Sequence, residues 1–114
     1  LMIYTLFITN DNIPEGSAGC AKGWFIYIRP EYKDDIDLLE HEKVHVRQFW
    51  RTLGLFHIWM YRFSKWYRLR CEVEAFKVQL EYAEDKTVSR QKFAAFLSTK
   101  YGLDISEAEA YKLL

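Results

Sequence analysis

Hydrophobic and polar positions follow one rhythm in the first quarter of the chain and another in the rest. Residues 2–8 (Met-Ile-Tyr-Thr-Leu-Phe-Ile) are β-branched and aromatic and predict a strand. Residues 9–22 gather Asn, Asp, Pro, Gly and Ser and predict a loop. Residues 23–29 (Gly-Trp-Phe-Ile-Tyr-Ile-Arg) predict a second strand, closed by Pro30. Two strands joined this way suggest an antiparallel ribbon. From residue 35 the apolar period lengthens to that of a helix. Over 35–53, Leu38, Leu39, Val46, Phe49, Trp50 and Leu53 fall on one arc, with Glu40, Lys43 and Arg47 opposite. Asp34 or Asp35 suits the N-cap of this helix and Gly54 its end. Residues 68–84 and 89–101 read as two more helices, the second capped by Ser89 and stopped by Gly102. Ser106 and Glu109 form a capping box for a short last helix. The fold class expected is α+β, a small N-terminal antiparallel β-ribbon packed on three to four helices, in a single domain spanning 1–114.

Residues 55–67 (Leu-Phe-His-Ile-Trp-Met-Tyr-Arg-Phe-Ser-Lys-Trp-Tyr) are far more aromatic than the 18% of the whole chain. Such a run usually fills the space between helices, and a compact aromatic core is the expectation here. The other readings are a hydrophobic substrate pocket, or a surface that touches a membrane or a partner.

Composition narrows the class. A chain of 114 residues buries an ordinary core without staples. A formal net charge of zero gives no sign of a nucleic-acid partner. Cys20 and Cys71 make neither a disulfide framework nor a Cys-x-x-Cys site, and are read as reduced thiols. No leader pattern is visible, and no apolar run approaches the ~18 residues of a membrane span, so a cytoplasmic protein is expected. Leu1 ahead of Met2 leaves the natural start open.

The chemistry concentrates in His41-Glu42-Lys43-Val44-His45. Two histidines four apart stand one above the other on a helix, so both imidazoles reach one ion. Glu42 is turned about 100° from His41, beside the ion rather than on it. A carboxylate so placed serves as a general base towards water and a general acid towards a leaving amine. Glu42 also falls inside the apolar arc, where a carboxylate is costly unless it is used. Zinc suits two imidazoles, a third ligand and one open position.

The third ligand is decided by elimination. The metzincin spacing would need a histidine where Arg51 stands, and His57, the only other histidine, has no ligand-like spacing. A carboxylate on the following helix remains. Glu72 and Glu74 point about 200° apart. Glu74 shares its arc with Arg70, Lys77 and Glu81, whose i,i+4 pairs (Arg70 with Glu74, Lys77 with Glu81) dress a solvated face. Glu72 shares its arc with Leu69, Phe76, Leu80 and Ala83 and faces inward. The expected ligands are therefore His41, His45 and Glu72.

A helix bearing HExxH and a glutamate on the next long helix resemble the gluzincin peptidases. Glu72-Val73-Glu74-Ala75 is similar to the Glu-x-x-Ala motif of the CAAX and HtpX integral-membrane proteases and of the ImmA/IrrE-type regulatory peptidases. His41 to Gln48 is similar to the His-Glu-x-x-His-x-x-Gln pattern of small bacterial and phage zincins. The resemblance covers roughly residues 20–84. It implies a minimal zincin-like core, Zn²⁺ held by the first glutamate of the motif (Glu72) with the two histidines, and a peptide or protein substrate. Those families carry Asp or Asn after the motif alanine, where it helps orient the site; this chain has Phe76. Asp37 and Gln48 are candidate substitutes as partners of the histidines. Tyr61, Tyr67 or Arg68 are candidates to steady an oxyanion. The expected activity is zinc-dependent peptide-bond hydrolysis. The alternatives are a zinc-stabilised regulatory module of phage or prophage type that binds without cutting, and a membrane-peripheral factor working through 55–67.

Overall fold

The computed structural model describes residues 2–114. The described chain is α+β, a three-stranded sheet with five α-helices. The strands are β1 (Thr5–Ile8), β2 (Gly19–Lys22) and β3 (Phe25–Ile28); the helices are α1 (Ile36–Arg51), α2 (Leu55–Phe63), α3 (Lys65–Glu81), α4 (Lys86–Thr99) and α5 (Glu107–Leu113).

The sheet corrects the expected two-stranded antiparallel ribbon. Its order is β1-β3-β2, so consecutive strands β1 and β2 lie on opposite edges. β1 runs parallel to β3, with Thr5 opposite Phe25 and Ile8 opposite Ile28, and β2 runs antiparallel to it. The segment after β1 must therefore cross over the end of β3. Arg29 pins that crossing. Its Nε donates to Ser17 O at 2.7 Å, Nη1 to Asn10 Oδ1 at 3.1 Å and Nη2 to Pro14 O at 3.1 Å. Ile26 and Ile28 point from β3 into the core with Leu38 and Val46 of α1. The other face stays open, with Phe7 stacked on Tyr27 at 5.3 Å.

α1 starts where expected, with Asp35 Oδ1 accepting from Leu38 N at 3.3 Å. Its exit is a tight corner. Gly54 has φ +69° and its N–H donates to Phe49 O at 2.8 Å. A Cβ there would stand 3.1 Å from the Phe49 ring, so space and backbone both favour glycine. The corner folds α2 back against α1 and α3. The helix predicted over 89–101 begins earlier, because Asp85 rather than Ser89 caps it, accepting from Val88 N at 3.1 Å. The Ser106–Glu109 capping box forms as expected.

A second core joins Phe76 of α3 to Phe93, Ala94 and Leu97 of α4, Leu103, and Ala110 of α5. The seam between α1 and α3 therefore has the sheet core on one side and this helical core on the other. Residues 55–67 do not make the expected aromatic core. Phe56, Trp59, Phe63 and Trp66 are each about two-thirds exposed (63–67%). Cys20 and Cys71 are free, so they form no bridge. Among the described residues no helix is long and apolar enough to cross a membrane.

Candidate metal centre

The α1–α3 seam brings together the residues read from the helical wheel. His41 Nε2 and His45 Nε2 lie 3.3 Å apart. Glu72 Oε1 lies 3.2 Å from His45 Nε2 and 3.6 Å from His41 Nε2. Bonds of about 2.0–2.2 Å to one tetrahedral ion put neighbouring ligand atoms about 3.3–3.5 Å apart. The three edges of this triangle fit that spacing. Glu42 makes a second trio with the same imidazoles, its ligand atom within 4.8 Å of theirs. Glu72 is closer, and Glu42 keeps the flanking place the helix geometry assigns to it. His41, Glu42 and Glu72 are all at least 95% buried.

With no ion between them, these groups charge one another. Burial works against a protonated His45, but the adjacent Glu72 carboxylate outweighs it and raises the imidazole to about 9. Burial likewise works against a charged Glu72, and the two histidines more than offset it, holding the carboxyl well below its usual range. Glu42 moves the other way. Burial raises its pKa, and His41 and His45 only partly counter that. Two carboxylates in one site are thus driven apart, one towards the ionised form and one towards the protonated form, as in acid–base pairs generally.

Each ligand is oriented differently. His45 Nδ1 faces Gln48 Oε1 at 2.9 Å. Gln48 Nε2 donates to Cys71 O at 3.0 Å and to Glu74 Oε1 at 2.7 Å. With its amide N–H groups used there, Gln48 presents its oxygen, so Nδ1 of His45 is the donor, and Nε2 is the nitrogen that would offer a lone pair to an ion on giving up its proton. Gln48 is therefore the partner of His45. Asp37 partners neither histidine: it lies half-buried in the first turn of α1, where a carboxylate suits the helix dipole. His41 Nδ1 is buried with no hydrogen-bond partner among the described residues. The Phe76 ring packs edge-on against the same imidazole, ring centres 4.4 Å apart, and offers it no hydrogen bond.

Glu74 is not an idle surface acid. Instead of pairing with Arg70, it accepts from Arg51 Nη2 at 3.0 Å and from Gln48. A relay of contacts, Arg51–Glu74–Gln48–His45, thus reaches the site from the surface.

The tyrosine and arginine candidates are reassigned. The Tyr61 hydroxyl donates to Glu72 Oε2, leaving Oε1 to face the histidines. Tyr67 lies off the site, its hydroxyl 2.9 Å from His57 Nδ1. Arg68 also lies off it. Its guanidinium donates to Tyr61 O at 2.7 Å and Tyr101 O at 2.8 Å, so it fixes the backbone of two tyrosines rather than an oxyanion. Tyr101 is the residue sequence reasoning missed. Burial, followed by the charges of Glu72 and Glu42, keeps its hydroxyl protonated, and its side chain lines the cleft. Nothing in the spacing of Tyr101 marks it; it reads only as packing at the end of a helix.

The cleft measures about 1070 Å³. One wall is β2, an edge strand; the other comes from α1, α2 and Tyr101. Comparison of the chain with family models, with curated proteins and with solved structures finds no match in any of the three.

Proposed function

We propose that this protein is a zinc-dependent peptidase. The observation that carries the reading is the triangle of His41 Nε2, His45 Nε2 and Glu72 Oε1, flanked by buried Glu42 and open to a cleft. Two neutral imidazoles and one carboxylate are a donor set that suits zinc and leaves a position free. Zinc held there would bring a water's pKa towards neutrality and polarise a carbonyl. Glu42, buried beside the two imidazoles, would take the proton of the attacking water and deliver it to the departing amine. Tyr61 holds Glu72, and Gln48 holds His45, so neither ligand has to reorganise. The Tyr101 hydroxyl, kept protonated and facing Glu72, lines the same cleft and is our candidate donor to a developing oxyanion. The free edge of β2 offers backbone groups to which an extended peptide can add.

The test is metal content by plasma mass spectrometry after dialysis against a weak chelator, followed by a peptide-library screen. One zinc per wild-type chain, lost in Glu72→Ala, with cleavage lost in Glu42→Ala at unchanged zinc, supports the reading. A wild type that takes up no zinc on reloading overturns it. A second reading, a zinc-stabilised interaction module that cuts nothing, draws on the exposed apolar face of α2. It is favoured if Glu42→Ala leaves the biological effect intact.

A further inference from the structure

We propose that the outer face of α2, continued by the first turn of α3, docks on the surface of an anionic lipid bilayer. α2 is built inside out for a helix in water. Two of its polar side chains, His57 and Tyr61, point into the protein, to Tyr67 and Glu72, and Arg62 stays outside. Its apolar ones point away: Leu55 is 80% exposed, Phe56 63%, Trp59 65% and Phe63 67%. Leu53 just before it and Trp66 just after it are exposed as well. A solvated helix shows the opposite arrangement, and an apolar patch of this extent marks an interaction site.

Charge selects the occupant. Of the seven Lys and Arg from Lys43 to Cys71, Lys43, Arg51 and Lys65 pair with Glu40, Glu74 and Asp104, and Arg68 holds backbone carbonyls, which leaves Arg47, Arg62 and Arg70. Two of these cations rim the aromatic patch directly. The Arg62 guanidinium lies 5.7 Å from the centre of the Phe63 ring, and that of Arg70 lies 4.9 Å from the centre of the Trp66 ring. Neither pairs with a carboxylate among the described residues. Trp and Phe at the depth of the headgroups, with Arg beside them, are the side chains a bilayer interface takes up. Anionic headgroups also answer the charge of the rim. A second copy of the chain would set this cationic rim against itself. Nine residues of α2 span about 13 Å, and no described helix is long and apolar enough to cross a membrane, so the contact lies in the plane of the surface. Ile58 and Arg62 of the same helix line the cleft, so docking brings the cleft mouth to the bilayer. Only that last consequence rests on the peptidase reading; the docking itself does not.

The experiment is flotation of the full chain with vesicles of phosphatidylcholine alone or of equimolar phosphatidylcholine and phosphatidylglycerol. Binding to the anionic vesicles about tenfold tighter or more is expected, weakening as salt rises. Trp59→Ser with Phe63→Ser should abolish it, with circular dichroism and zinc content as in the wild type. Arg70→Glu should weaken anionic binding selectively. Equal binding to neutral and anionic vesicles overturns the charge argument. No flotation of the folded wild type overturns the proposal outright. A dimer seen by light scattering and lost in the double variant, without flotation, overturns it in favour of a second copy. Failure of zinc loading with flotation intact overturns the peptidase reading alone.

Discussion

Along the α1–α3 seam His41, Glu42, Gln48 and Glu72 lie inside the protein, no more than 5% exposed, while a short corner away the outer face of α2 turns Phe56, Trp59 and Phe63 to solvent. The two regions break the same rule of burial in opposite directions. At the seam the cost of burying polar groups is met by partners, each apt for a role: Gln48 for His45, Tyr61 for Glu72. On α2 the chain itself leaves the cost of exposing apolar groups unmet. One helix even serves both regions, since Tyr61 on its inner side holds a ligand of the candidate centre. Within the chain, one buried side-chain atom of the seam, His41 Nδ1, has no hydrogen-bond partner among the described residues. The α2 face leaves its apolar side chains in water. The two candidate regions thus stand out by opposite signs, a polar inside and an apolar outside.

The comparison breaks first at Glu42. If its burial serves proton transfer, Glu42→Ala lowers turnover about 10²–10⁴-fold. Zinc content should stay at the wild-type level, and thermal stability should hold or rise, because a carboxyl group that burial disfavours has been removed. A variant that loses zinc along with activity would make Glu42 a ligand and replace the Glu72 triangle by the His41–Glu42–His45 trio. Next in size is Gln48→Leu. Loss of the Nδ1 partner should weaken zinc binding about 10–100-fold, measured by competition with a chelator of known affinity. Glu74→Ala, one step further along the same relay, should weaken it by less than Gln48→Leu but measurably. A larger effect from Glu74 than from Gln48 would mean that Arg51 and Glu74 act on the site by another route.

How much of this was legible in the chain depended on whether the cause was local. α1, the Asp35 cap and the inward Glu72 followed from a 3.6-residue period, because their neighbours in space are neighbours on the helix. β2 reads as loop because Gly-Cys-Ala-Lys has no strand preference of its own; it is a strand only because β3 offers it a ladder. The parallel pairing of β1 is invisible for the same reason, since the crossing that allows it depends on Arg29 reaching back to Asn10 and Ser17. Glu74 was assigned to Arg70 by the i,i+4 rule, and α1 overrode it with Arg51 and Gln48. Tyr101 stands 29 residues beyond Glu72 in the chain and reaches the site through tertiary packing alone. The aromatic run failed most instructively. An apolar sequence states that burial is wanted and says nothing of whether the chain itself provides it.

The smallest effect concerns His57, on the inner side of α2 where the two regions meet. Burial lowers its pKa to about 4, with the nearby His45 adding to that. Neutral at pH 7, it can accept the Tyr67 hydroxyl at Nδ1. In the unfolded chain the same imidazole titrates near 6.5. Between pH 6.5 and 4 the unfolded chain binds a proton that the folded chain refuses, so acid favours unfolding. This contribution to stability is fully present above about 6.5 and falls away as the pH drops towards 4. A sealed site would make such a shift worth about 3 kcal/mol. His57 lines the cleft and meets its water, so about 1 kcal/mol, or roughly 4 °C in Tm, is expected. His57→Asn keeps an acceptor for Tyr67 and removes the titration. Its Tm, followed from pH 7 to 4 with chelator present, should fall less steeply than that of the wild type by that amount. Parallel curves would mean that His57 is as wet as a surface histidine, and that the inner side of α2 is not packed shut against the seam. The sharp line between a sealed seam and an open α2 face would then have to be redrawn through the middle of the helix.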